Sequence, residues 1–155
     1  MIDPLLLGDL FAETYALLRR HTAGLTHADS LRYPLARANC ANWIVGHIVA
    51  VRANILVGLL HAPNSWDMHM LMRYIPETAP SSGESATWQF EQLLHELART
   101  QEQLGAILST LTLEALQDIA GEQTLAAHLI SYHAHEAYHA GQLELLCQFV
   151  RSAGN

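Results

Sequence analysis

Apolar residues recur at intervals of three and four through most of the 155-residue chain, the spacing that lines one face of an α-helix. Four segments carry the pattern far enough to predict helices. The first opens at Asp3-Pro4, a capping carboxylate before a proline at the first helical position, and runs through Leu7, Leu10, Phe11, Tyr15 and Leu18 to about Arg20. After a polar stretch from His21 to Pro34, the run Asn42 to Leu60 puts Ile44, His47, Ile48, Val51, Ile55 and Leu59 on one face. A third helix is predicted from about Ser85 to Leu111, with Trp88, Leu93, Leu94, Leu97, Leu104, Ile107, Leu108 and Leu111 on its apolar side. A fourth follows the acidic connector Leu113 to Gly121 and occupies about Thr124 to Val150, where Leu125, Leu129, Tyr132, Leu143, Leu146 and Val150 recur.

The second and third helices are separated by His61 to Gly83, more than twenty residues containing Pro63, Pro76 and Pro80 but also Trp66, Met68, Met70, Met72 and Tyr74. Structureless connections of that length are uncommon in compact domains. A short helix over Trp66 to Tyr74 is therefore expected, either as a lid over a cavity or as a cap on the core. No strand-like alternation and no internal repeat is visible. The pattern predicts an all-α fold: an antiparallel four-helix bundle, one domain over residues 1–155, with a long excursion between helices two and three.

Composition agrees with a filled core: half the residues are apolar and 15% are charged. The apolar run Ile44 to Leu60 is interrupted by Gly46, His47, Arg52 and Asn54, which leaves it short of the ~20 clean residues of a membrane span. No membrane association is expected. The opening Met-Ile-Asp-Pro shows neither a basic leader nor a small-residue cleavage site, so the expected compartment is the cytoplasm. In that setting Cys40 and Cys147, without CxxC spacing, read as buried free thiols. Fifteen acidic against eight scattered basic side chains, a net charge of −7, argue against a nucleic-acid partner.

Candidate chemistry concentrates on histidine. His135 and His139 stand four residues apart on the fourth helix, so their imidazoles lie on one face about a turn apart and can ligate one ion. His139 shares the register of Tyr132, Leu143 and Leu146, which points the pair toward the bundle interior. His47 points there from the apolar stripe of helix two. His133 is two residues from His135 and His128 is two turns away from it, so neither can join them. His21, His27, His61, His69 and His95 are expected at the surface. A core-facing histidine can also be held by a carbonyl or carboxylate alone, and for His47 the spacing leaves that alternative open. Gly46 beside it suits close approach by another segment or a ligand.

The segments Asn42-Trp-Ile-Val-Gly-His-Ile48 and His135-Glu-Ala-Tyr-His-Ala-Gly-Gln-Leu143 resemble the signature of the DinB-like superfamily of metalloenzymes. In that family one histidine comes from the second helix of a four-helix bundle, and an HxxxH pair followed by Gly-Gln comes from the last long helix. The resemblance implies His47, His135 and His139 as ligands of a divalent transition metal, zinc or nickel. It also implies open coordination positions taken by water, and homodimers formed through the bundle faces. Some relatives are transferases or isomerases that use low-molecular-weight thiols such as bacillithiol or mycothiol.

Three neutral imidazoles leave the charge of a divalent ion uncompensated and favour an anionic ligand at the open position. The expected activity is a metal-dependent thiol S-transferase acting on a small-molecule substrate. Alternatives are a metal-dependent hydrolase and a non-catalytic, stress-related bundle in which the ion only cross-links helices. A di-iron carboxylate site is a further reading of Glu136-x-x-His139, but no second Glu-x-x-His is present. Glu136 is therefore expected at the surface or as a support for the ligands. Gln142, three residues past His139, is expected either to hold a ring nitrogen or a water or to pack at the helix end.

Overall fold

The computed structural model describes residues 2–34, 39–75 and 88–152. Its first helix, α1 (Pro4–Thr22), starts where Asp3 accepts the Leu5 N–H at 2.9 Å. The polar stretch that follows holds a helix the periodicity did not signal, α2 (His27–Ser30). One turn is too short for a periodicity, yet Thr26 and Asp29 form a reciprocal capping box that was readable as such. Helix α3 (Ala41–Asn54) continues into a π-helical turn, Ile55–Leu59. The expected short helix is present as α4 (Met68–Leu71) followed by a 3-10 turn, Met72–Tyr74.

Helix α5 spans Phe90–Leu108, later at its start and shorter at its end than the spacing suggested. Trp88 precedes it because Gln89 is extended, with ψ 138°. At the far end Ser109 and Thr110 turn their hydroxyls back onto the carbonyls of Ala106 and Ile107, a local bonding mode that competes with helix continuation. The expected start at Ser85, together with Pro76, Pro80 and Gly83, lies outside the described residues. The connector before the last helix contains a minimal hairpin that was not foreseen, β1 (Ile119–Ala120) against β2 (Gln123–Thr124), turning at Gly121 with φ 72°. Helix α6 (Leu125–Ser152) then runs 28 residues, with Thr124 Oγ1 accepting the Ala127 N–H at its start.

The four long helices form a ring of contacts: α1 on α5, α5 on α3, α3 on α6 and α6 on α1. Helices α1 and α5 run antiparallel, as Gly8 at the start of one lies against Leu108 at the end of the other. So do α3 and α6, since His47 meets His139 while Asn54 faces Ser131. The other two pairs run in the same direction, an arrangement the expected antiparallel bundle did not distinguish. Thr14 meets Glu136 and His21 meets Arg151 along α1 and α6, and Asn42 bonds the Trp88 carbonyl where α3 and α5 begin.

This topology explains the long excursion. Parallel neighbours force the chain to return the length of a helix, about 28 Å for the 19 residues of α5, before the next one starts. The stretch Ala41–Leu59 is apolar and long enough by composition to cross a membrane, yet most of it is buried inside the bundle. Its buried Arg52 and Asn42 are held by Glu136 of α6 and by the Trp88 carbonyl just before α5. Both cysteines are free and buried, and burial pushes the Cys147 thiol up to about 11.

Candidate metal centre

Helix α6 sits in a corner between α1 and α3, and that position decides which of its side chains meet. Advancing four residues nearly completes a turn, so His135 and His139 face α3 together. On the opposite helix His47 lies in a stripe that is buried almost all round. The Nε2 of His135 is 3.2 Å from that of His47 and 3.1 Å from that of His139. All three ligand atoms lie within 4.8 Å of one another. The three residues expected from the sequence are brought together as a single group that can hold one ion.

The outer nitrogens fix which face of each ring looks inward. The Tyr74 carbonyl can only accept, so His47 Nδ1 carries the proton and donates at 2.7 Å. Its Nε2 then offers a lone pair. His139 Nδ1 donates to Gln142 Oε1 at 2.8 Å, and Gln142 Nε2 donates onward to the Tyr138 hydroxyl at 2.8 Å. The hydrogen-bonding role open to Gln142 is thus the one it takes. Trp43, one turn before His47, stacks on the His47 ring at 4.9 Å between centroids and 8° between planes. These supports orient the His47 and His139 rings before any ligand arrives.

Burial is the main cause that lowers the pKa of both His47 and His139, the latter to about 4. The Tyr74 and Gln142 hydrogen bonds oppose it without cancelling it. Both rings are therefore neutral near pH 7. Two inward lone pairs then flank His135 Nε2, which has at most one proton to give and cannot satisfy both. A divalent cation can satisfy all three. Two imidazole nitrogens about 2.0–2.1 Å from a tetrahedral ion sit about 3.3 Å apart, close to the 3.1–3.2 Å seen here. The donor set and both separations from His135 fit such an ion.

Tyr74 reaches this position because of Gly46. A Cβ on Gly46 would overlap the Tyr74 ring, so only glycine lets the 3-10 turn lie flat against α3. The Tyr74 hydroxyl accepts the Trp88 N–H and donates to Asn42 Oδ1, tying the turn down again. The segment expected as lid or cap is thus a cap. Trp66 and Tyr74 are buried in the core, and the backbone of Tyr74 is what touches the site.

Glu136 corrects the sequence reading. It is 3% exposed, and its carboxylate takes two 2.7 Å bonds from the fully buried Arg52 and one of 2.6 Å from Thr14. Spacing marks neither partner of this pair: Arg52 interrupts an apolar run, and Glu136 is expected at the surface or as a support for the ligands. The capture of both carboxylate oxygens also removes the di-iron reading. His21 is likewise buried rather than at the surface, and His27 is half-buried with Nδ1 accepting the Phe90 N–H. His128 donates to the Ala120 carbonyl, and His133 meets the Phe11 ring edge-on. His61, His69 and His95 are exposed as expected.

A cavity of about 390 Å³ opens beside the group, lined by His47 and His135 together with Ala50, Val51, Asn54, Ile75, Ser131 and Tyr132. The three-histidine group therefore borders a space large enough for a small molecule.

No curated protein sequence matches the chain. Its fold is similar to that of a solved structure described as the conserved protein of locus from Enterococcus faecalis, with a TM-score of 0.78. That alignment covers 98% of this chain and 99% of the other at 16% identity, and so speaks to the fold alone. The family model of the DinB superfamily matches residues 10–143, which contain all three histidines, and the chain belongs to that superfamily.

Proposed function

We propose that His47, His135 and His139 hold one divalent transition metal, zinc or nickel, and that the protein is a metal-dependent transferase using a small thiol. The observation that carries this reading is the convergence of three Nε2 atoms beside the 390 Å³ cavity that His47 and His135 line. Imidazole donors suit zinc and nickel, and three of them leave coordination positions free. When bound, such an ion supplies Lewis acidity that favours the deprotonated form of a thiol or water reaching it.

The protein's own residues have three tasks. Tyr74 and Gln142 hold the rings of His47 and His139 in the tautomer that presents Nε2. The neutral, buried imidazoles add no negative charge, so the site attracts anionic donors. Val51, Ile75 and Tyr132 keep the adjoining space largely apolar, which restricts water around the reacting atoms.

A metal that only cross-links α3 and α6 is the competing reading, and the open cavity at the ligands favours the catalytic one. A hydrolase would use the same site with water in place of the thiol. The test is turnover of alkylating and epoxide electrophiles with and without small thiols, by zinc- or nickel-loaded protein. Turnover that chelation abolishes and metal restores is expected. A fully metal-loaded protein inert across the panel would leave the structural role standing.

A further inference from the structure

The lining of the cavity has an order that limits what fits. On α3 it runs His47, Ala50, Val51, Asn54, and on the antiparallel α6 it runs His135, Tyr132, Ser131. Both walls lead away from the histidine group in the same direction. Asn54 lies seven residues beyond His47, about 10 Å along the axis. The near end offers nitrogen donors and the middle is aliphatic and aromatic. The far end offers one amide and one hydroxyl, both exposed at the mouth. Among the described lining residues none is Lys, Arg, Asp or Glu.

We infer that this cavity takes an elongated, uncharged molecule about 10 Å long. Its donor atom faces the three-histidine group, its apolar body lies between Val51, Ile75 and Tyr132, and its polar, uncharged end meets Asn54 and Ser131. Small thiols carrying carboxylates along their body are disfavoured, because no basic side chain of the described wall compensates the buried charge. This rests on the proposed function for the donor end alone. The body and the far end follow from the cavity.

Two probe sets separate the claims. With the full chain loaded with cobalt(II), visible absorption is titrated with 6-mercaptohexanol, 2-mercaptoethanol and mercaptosuccinate. 6-Mercaptohexanol is expected to bind at least about tenfold more tightly than either, a preference that two buried methylenes already supply. Val51→Trp, which fills the middle of the cavity, is expected to remove the preference while cobalt stays bound. Asn54→Leu, at the exposed mouth, is expected to weaken 6-mercaptohexanol while leaving 2-mercaptoethanol, which is too short to reach it, unchanged. Equal or tighter binding of mercaptosuccinate, or indifference to both substitutions, overturns the inference. In the metal-free chain, 1-hexanol binding is followed by ligand-observed NMR and is expected to vanish in Val51→Trp. Absence of hexanol binding, or its survival in the variant, counts against the cavity whether or not the metal reading holds. Failure of cobalt to bind counts against the metal reading alone.

Discussion

Glu136→Leu should be among the most destabilising single changes available in this chain. Arg52 is fully buried, and among the described residues its charge is compensated by the carboxylate of Glu136 alone, through two bonds of 2.7 Å. Its Nη1 has no hydrogen-bond partner among the described residues, and its other contacts are neutral: the Phe11 carbonyl at 3.3 Å and the Phe11 and Tyr15 rings, each 5.9 Å away. Removing the carboxylate strands a guanidinium in the core, a loss of about 3–5 kcal/mol where such pairs have been broken. The Thr14 hydroxyl loses its 2.6 Å partner as well. Against a total stability of roughly 5–15 kcal/mol, that is a large fraction, equivalent to a fall in Tm of about 6–20 °C. The double variant Arg52→Met/Glu136→Leu removes both charges and should lie within about 1 kcal/mol of the parent, or above it. The assay is equilibrium guanidinium unfolding of the chelator-treated protein, followed by far-UV circular dichroism, for the parent, both singles and the double. Single losses below about 1 kcal/mol, or a double loss equal to the sum of the singles, would show that Arg52 and Glu136 do not depend on each other in the core.

Gly46→Ala should destabilise despite alanine's helix preference of about 1 kcal/mol. The added methyl displaces the Tyr74 ring at an overpacking cost of about 1–3 kcal/mol, and thermal unfolding of the metal-free chain reads the sign. Gln142→Leu should leave folding intact but weaken metal binding about 10- to 100-fold, because His139 loses the acceptor that orients it. Competition with a chelating dye measures this, and unchanged affinity would show Gln142 to be mere packing. In the metal-free chain His139, at about 4 when folded, lies below its unfolded value near 6.5. Between those values the unfolded chain binds more protons, so stability falls as pH drops from about 6.5 toward 4, and this contribution is flat outside that window. His47 acts in the same direction. Urea titrations at pH 7 and pH 5 test it, and an identical pH slope in His139→Asn would contradict the assignment.

The long helices were legible because each repeats its apolar spacing over several turns, and the HxxxH pair because four residues nearly close one turn. What escaped the sequence depends on partners far along the chain. Nothing near Arg52 tells that Glu136, 84 residues later, waits for it, and a lone acid beside a histidine looks like surface. The grip of Tyr74 on His47 is a backbone carbonyl, which has no residue signature, although Gly46 marked where something had to come close. Helix α2 and the Ile119–Thr124 hairpin were too short to carry a period, and only the Thr26 to Asp29 box and Gly121 hinted at them. The parallel pairing of α3 with α5 was implicit in the length of the connection between them. Loop length states how far the chain must travel more directly than helix periodicity does.

On the proposed reading, three histidines from two helices hold one ion. An anomalous-scattering map from crystals of protein purified without a metal-affinity step tests it most directly. A single peak is expected at the zinc or nickel edge, about 2.0–2.2 Å from Nε2 of His47, His135 and His139, and lost in His47→Ala, His135→Ala and His139→Ala alike. A peak elsewhere, no peak after supplying either metal, or a peak that survives any one of the three substitutions would contradict it.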